Sequence, residues 1–270
     1  MNASVLKKGC AIAGGIISAV FTVVPDDVFK LGFVTCNWSE TVIVLVNRLI
    51  VVGVIIALAC VGYCLYLKFR KLVAISDRNF TIIVEYKDLF EVKNGKKVIG
   101  FDECFSTNVG DAPGDIKPNS VCGQYLARYP IDDIQSLIQT SGIQSYGVSL
   151  YNNKPNYISG TIIPKDEFFL MAFAKLDEYG LGRMSYMEYL ECLDKLWEQI
   201  DLYHGTDDVY LPILGSRITR FDKELTQQEL LDVMIASYRL SPRKIKKPNT
   251  LHIVCKKRDG FSLNDIFGVD

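Results

Sequence analysis

The residues best suited to handle a phosphate lie in two glycine-bearing loops. One is Asn108-Val109-Gly110-Asp111-Ala112-Pro113-Gly114-Asp115, a long polar stretch leading into an expected helix over Ser120–Arg128. The other is Gly215-Ser216, directly after the apolar run Val209–Leu214. In an open α/β sheet, ligands settle beyond the carboxyl ends of strands, where glycine lets backbone amides approach an anion. A Gly-Ser pair after a strand is by itself more often a plain turn, so the order of the surrounding segments carries the reading. Asp111 and Asp115 fit the role of turn formers.

Metal chemistry has little support. The eight cysteines are scattered, with Cys10, Cys60 and Cys64 in the apolar amino-terminal part, Cys36 between its two runs, and Cys104, Cys122, Cys192 and Cys255 further on. No CxxC pair occurs and the chain has only His204 and His252, so neither a zinc site nor a catalytic metal is expected. Reduced, buried thiols are the default.

Elements that would position the two loops can be read from periodicity. Phe80–Tyr86, Lys97–Phe101, Phe168–Lys175, Val209–Leu214 and Leu251–Cys255 have the length and composition of strands. Tyr146–Leu150 and Tyr157–Ile163, separated by Asn152, Asn153 and Pro155, predict a hairpin. Ser185 with Glu188, and Thr226 with Glu229, each form a capping-box signal ahead of an amphipathic helix. Strands alternating with such helices argue for an α/β layer structure with a mixed sheet.

A membrane anchor precedes this part. Leu49–Leu67 is an uncharged run of 19 residues followed by Lys68, Phe69, Arg70 and Lys71. That length spans the ~30 Å hydrocarbon core, and the basic flank keeps the carboxyl part cytoplasmic. A second run, Gly9–Val24, follows Lys7 and Lys8 and ends at Pro25, Asp26 and Asp27. It reads as a first span, with small residues Ala11, Gly15 and Ala19 on one face; a signal peptide is the alternative. The expected organisation is a transmembrane hairpin over 1–71 with spans at about 9–25 and 45–67, a linker at 72–79 and a cytoplasmic domain over 80–270. Arg48 is expected to anchor at the interface.

Charge narrows the partners. Seven of the 30 Lys and Arg and three of the 31 Asp and Glu lie in the first 71 residues, so the remainder carries 23 bases against 28 acids. A net −5 gives no electrostatic case for nucleic acid. The basic patch Arg243, Lys244, Lys246 and Lys247 reads as a solvated turn.

The order of segments resembles a macro domain: Asp88-Leu89-Phe90, the strand ending at Phe101, a glycine-containing loop into a helix, then Val209-Tyr210-Leu211-Pro212-Ile213-Leu214-Gly215-Ser216. With two apolar runs in front and Leu240-Ser241-Pro242-Arg243-Lys244-Ile245-Lys246-Lys247-Pro248 near the end, the whole chain is similar to the membrane-anchored effectors of type II Thoeris antiphage defence. That resemblance implies a multi-pass protein of the bacterial inner membrane with a macro-like mixed sheet flanked by helices. It implies a sensor of an ADP-ribose derivative, notably a histidine adduct made from NAD by a TIR-domain partner, and a response by homo-oligomerisation and membrane disruption.

It also implies roles for residues. Asp88 would accept hydrogen bonds from the adenine amino group. Phe101 and Asp102 would border the ligand at the strand end. Ser120, Val121 and Gly123 would offer amides to the diphosphate or distal ribose. Gly215, Ser216, Arg217 and Ile218 would wrap the other side of the diphosphate; Arg217, where the family commonly has glycine, either narrows the pocket or supplies a cation. No cofactor is implied.

Three function classes then compete. Hydrolytic macro domains commonly carry an Asn-Ala-Asn type strand end, where this chain has Asp102-Glu103-Cys104. Neighbouring residues on a strand face opposite ways, which argues against a paired-carboxylate mechanism, so binding without turnover is expected and no catalytic residue is assigned. A membrane-tethered ADP-ribosyl hydrolase is the alternative, and a protein-binding scaffold the third.

Overall fold

A computed structural model describes residues 3–30, 39–216 and 219–266, and the chain divides into two compact units, Met1–Arg70 and Lys71–Asp270. The first holds helices α1 (Ala3–Val23), α2 (Asp26–Lys30) and α3 (Glu40–Phe69). Gly9 lets α1 and α3 approach closely, since a Cβ there would stand 2.8 Å from the Cys60 sulfur. Asn47 donates from Nδ2 to the Phe29 carbonyl at 2.9 Å, and the Arg48 guanidinium lies 5.5 and 5.3 Å from the Phe21 and Phe29 rings. Among the described residues, α3 is the one helix long and apolar enough to cross a membrane.

In the second unit the stretch read as a linker is instead structured. Leu72–Ser76 forms β1 and pairs antiparallel with β2 (Thr81–Tyr86), because Val73 and Ile75 alternate inward and are buried. β3 (Lys96–Asp102) leads through the polar loop to α4 (Val121–Arg128) and α5 (Ile134–Ser141). Next come the two-residue strands β4 (Gly147–Val148) and β5 (Pro155–Asn156), then β6 (Ile162–Lys165), β7 (Phe168–Leu176) and β8 (Gly182–Met184). The unit closes with α6 (Tyr186–Tyr203), β9 (Val209–Pro212), β10 (Arg220–Phe221), α7 (Gln227–Leu240) and β11 (Leu251–Cys255).

The main sheet runs β1-β2-β11-β9-β3-β7-β8-β10, with β6 also on β7. Strands β2, β11, β9, β3 and β7 are mutually parallel, β1 runs antiparallel to β2, β6 and β8 run antiparallel to β7, and β10 lies parallel to β8. This is the mixed α/β architecture expected. One core, with Leu193, Leu196, Trp197, Leu231 and Met234, packs α6 and α7 on one face of the sheet. A second, with Phe101, Tyr125, Leu126 and Ile138, packs α4 and α5 on the other. Both capping boxes form, Ser185 with Glu188 and Thr226 with Glu229.

The predicted hairpin is corrected. Residues 146–150 do not pair with 157–163; β4 pairs with β5 as a separate small ladder. Ile162 and Ile163 instead join β7 through β6, where both are buried. Two apolar neighbours on a strand point to opposite faces, and only a sheet covered on both sides shelters both.

Candidate functional site

A cleft opens because two parallel strands separate. β3 and β9 pair only at Lys96 with Val209 and Lys97 with Tyr210, so beyond those pairs their carboxyl halves diverge. A cavity of ≈ 260 Å³ lies at the strand ends, reaching from Asp88 and Lys256 to Leu176, Gly180 and Gly182. Following the strand order from β2 across β11, β9 and β3 to β7, four strand spacings amount to roughly 19 Å. The site is thus elongated.

At one end Asp88 caps a short 3₁₀ turn over Leu89–Glu91, accepting from the Phe90 amide at 3.0 Å. Its other carboxylate oxygen stands 2.9 Å from the Lys256 ammonium. Burial pushes this carboxyl up, but Lys256, the Phe90 amide and the Arg128 charge together outweigh it and hold the group below its ordinary value. Arg128 lies 4.1 Å from the Phe90 ring centre. Lys256 was not singled out in the sequence; its signal is a cation directly after a buried strand end, opposite the Asp88 turn.

In the middle, Ser120 caps α4. Its hydroxyl oxygen accepts from the Gly123 amide at 2.9 Å, and its own amide donates to the Lys117 carbonyl at 2.9 Å. The expectation for Gly123 is therefore corrected. Its amide is taken by the cap, it does not border the cavity, and a Cβ there would stand 2.4 Å from the Lys117 carbonyl oxygen. Glycine serves close packing at this position. The amides that a helix start leaves without intrahelical partners are those of Val121 and Cys122, and both residues border the cavity. Across from them Gly215, at φ +78, and Ser216 line the opposite wall. Arg217 and Ile218 lie outside the described residues.

The polar loop is held from within. The Lys117 ammonium donates to the Asp111 and Ala112 carbonyls at 2.9 and 3.2 Å, and Asp115 accepts from the Ala112 amide at 3.1 Å. Asp115 closes a turn, as its residue type predicts, and also borders the cavity.

Phe101 and Asp102 border the cavity where the β3–β7 register shifts. Asp102 accepts from the Cys104 and Ser106 amides, both at 2.9 Å, through one oxygen. Its second oxygen is buried without a partner. Burial pushes this carboxyl up; the Ser106 amide, the Ser106 hydroxyl and the Cys104 amide oppose that, and the neighbouring Glu103 adds to it. Glu103 faces away, accepting from the Leu176 amide at 3.2 Å and the Asn156 side chain at 3.3 Å. The two carboxylates therefore form no pair over one substrate position. Among the described residues no group of three His, Cys, Asp or Glu side chains could hold a metal ion.

An elongated cleft across the strand ends of a mixed sheet, with a carboxylate at one end and free helix amides at its centre, defines a macro domain. Residues 82–256 match the family described as Thoeris protein ThsA, Macro domain, and the chain belongs to that family. It is also 28% identical over 235 residues to the Thoeris protein ThsA of Bacillus amyloliquefaciens (strain Y2), covering 82% of this chain and 77% of that protein.

Proposed function

We propose that this chain is a membrane-anchored effector of antiphage defence that binds an ADP-ribose-type signal in the cleft at its strand ends. The observation that carries this reading is the cleft itself. A carboxylate suited to a base amino group, unpaired helix amides suited to a diphosphate and a carboxylate oxygen suited to a ribose hydroxyl follow one another along it. Membership of the ThsA macro family supports the ligand class. In this reading Asp88 takes the adenine, Val121, Gly215 and Ser216 surround the diphosphate, and Ser120 sets the helix start. Phe101 and Asp102 flank the distal ribose.

The signal is a histidine adduct of ADP-ribose made by a TIR-domain partner, and α1 and α3 form a two-span anchor in the bacterial inner membrane with the second unit on the cytoplasmic side. Binding drives copies of the chain to associate, and their apolar helices disturb the lipid. A ligand can do this only by favouring the associated state, with coupling of typically about 1–3 kcal/mol per site. Binding occurs without turnover, which the burial of Glu103 on the Leu176 amide and the Asn156 side chain, away from Asp102, supports.

Calorimetric titration of the full chain in detergent with ADP-ribose and its histidine adduct tests this, with chromatography of the mixture afterwards. Saturable binding with intact ligand is expected. Release of ADP-ribose from the adduct would replace the sensor by a hydrolase, and absence of binding to either compound would overturn the site.

A further inference from the structure

Behind the wall at the end of the cavity away from Asp88 runs a strap that one side chain fastens. Residues 146–156 leave the body of the second unit beside Glu103, where the Asn156 amide group donates to Glu103 at 3.3 Å and the Tyr157 amide donates to the Glu103 carbonyl at 2.8 Å. The strap crosses to the polar loop, and there the Tyr151 hydroxyl donates to the Pro113 carbonyl at 2.5 Å.

The Tyr151 ring fills a slot between two glycines. A Cβ on Gly114 would stand 2.2 Å from a ring carbon, and a Cβ on Gly180 would stand 2.8 Å from the ring and 2.7 Å from the Gly114 amide nitrogen. Both glycines have positive φ, +81 and +76, and both line the cavity. Three separate segments, the polar loop, the strap and the turn before β8, therefore meet on one ring. The ring stands behind the cavity wall rather than in it, so it sets where the wall ends.

We propose that Tyr151 is a specificity-determining residue that limits the size of the group carried on the terminal ribose of an ADP-ribose-type ligand. This rests on the placement of the distal ribose near Asp102 given above. With the ring in place, the cavity ends at Gly114 and Gly180 and admits ADP-ribose with a small substituent. Without it, the slot between the two glycines becomes part of the cavity and longer substituents fit.

The test compares the full chain in detergent as wild type, Tyr151→Ala, Tyr151→Leu and Tyr151→Phe. Each is titrated with ADP-ribose, with NAD and with a mono-ADP-ribosylated hexapeptide. Wild type is expected to bind ADP-ribose at least about tenfold more tightly than the peptide conjugate. Tyr151→Ala should shrink that ratio by about tenfold by gaining the conjugate, Tyr151→Leu should move it part of the way, and Tyr151→Phe, which keeps the ring, should preserve it. An unchanged ratio in Tyr151→Ala overturns the proposal, as does an equal loss of all three ligands with the melting temperature retained. If Tyr151→Ala does not fold, the ratio in Tyr151→Leu decides. Wild type that binds none of the three compounds points instead to failure of the ADP-ribose reading of the cleft.

Discussion

Gly123→Ala separates a packing role from a phosphate-binding one. The added Cβ would stand 2.4 Å from the Lys117 carbonyl oxygen and 2.9 Å from the Pro118 Cα, where ordinary contact begins at 3.4 Å. The shortfall against the carbonyl, 3.4 − 2.4, is about 1 Å. Both neighbours are backbone, so no rotamer relieves it and the first turn of α4 must shift by about that distance. Forcing extra volume into a filled site typically costs about 1–3 kcal/mol. For a unit spanning Lys71–Asp270, each kcal/mol lowers Tm by roughly 2–4 °C, so scanning calorimetry should show a fall of about 2–12 °C. The same shift displaces the Val121 and Cys122 amides, so affinity for ADP-ribose should fall as well. Ser120→Ala removes the cap without adding volume and should cost about 1 kcal/mol. An unaltered Tm in Gly123→Ala would refute the packing argument; if ligand binding were nonetheless lost, Gly123 would belong to the phosphate site after all.

Asp88→Asn keeps an oxygen for the Phe90 amide but removes the charge facing Lys256 and the ligand. Loss of a hydrogen bond to a charged group, about 1.5–3 kcal/mol, corresponds to roughly 10- to 150-fold weaker ADP-ribose binding by calorimetry, and a change under about twofold would sink the assignment. The pH dependence follows from the same group: its carboxyl is held below the ordinary 3.8, so its contribution is present above that value and is lost as pH falls through the lower folded value. Affinity should accordingly hold down to about pH 4 and decline only below it, and Lys256→Ala should move the decline upward; a fall centred on neutral pH would contradict this. Asp102 has the opposite sign. Burial raises its carboxyl, so its contribution is fullest at low pH and declines as pH rises through the raised value. Asp102→Asn should therefore melt no lower than wild type at pH 8 while binding ADP-ribose more weakly, and a variant that loses stability but keeps affinity would show that Asp102 serves the fold.

The strand ladder and both capped helices were legible because their signals are local. Leu251–Cys255 is a strand over the residues its composition marks, and Ser185 and Thr226 cap the helices their spacing announces. What was not legible depends on contacts between distant segments. β1 lies in a stretch too short and too near the basic flank to stand out, and becomes a strand only because β2 offers it an edge. Asp88, Val121 and Gly215 could be placed at a cleft from segment order, but Lys256 enters it only because β11 lies beside β2. Gly123 looked like a phosphate glycine because a glycine near a helix start serves either purpose. The turn at Lys117 and Pro118, which decides between them, is local, but its close approach to Gly123 is a matter of backbone geometry that residue types do not reveal.

The two ends of the cleft differ in how they are satisfied, and this gives the site a direction. Around Asp88 each charge already has a partner: Lys256 and the Phe90 amide hold the carboxylate. That end is built before any ligand arrives. At Asp102 one oxygen is fully used by two amides while the other is buried and bare. An unsatisfied buried acceptor costs about 1–3 kcal/mol, a cost that folding alone does not recover. On the proposed reading a small local shift that brings this oxygen to the cavity surface lets a donor on the distal ribose recover it. Base recognition at the Asp88 end then fixes register, and much of the energy gained on binding is realised at the Asp102 end, next to the strap that Tyr151 fastens. A ligand lacking that donor should bind in the same register with lower affinity, and one lacking the base should find no fixed register at all.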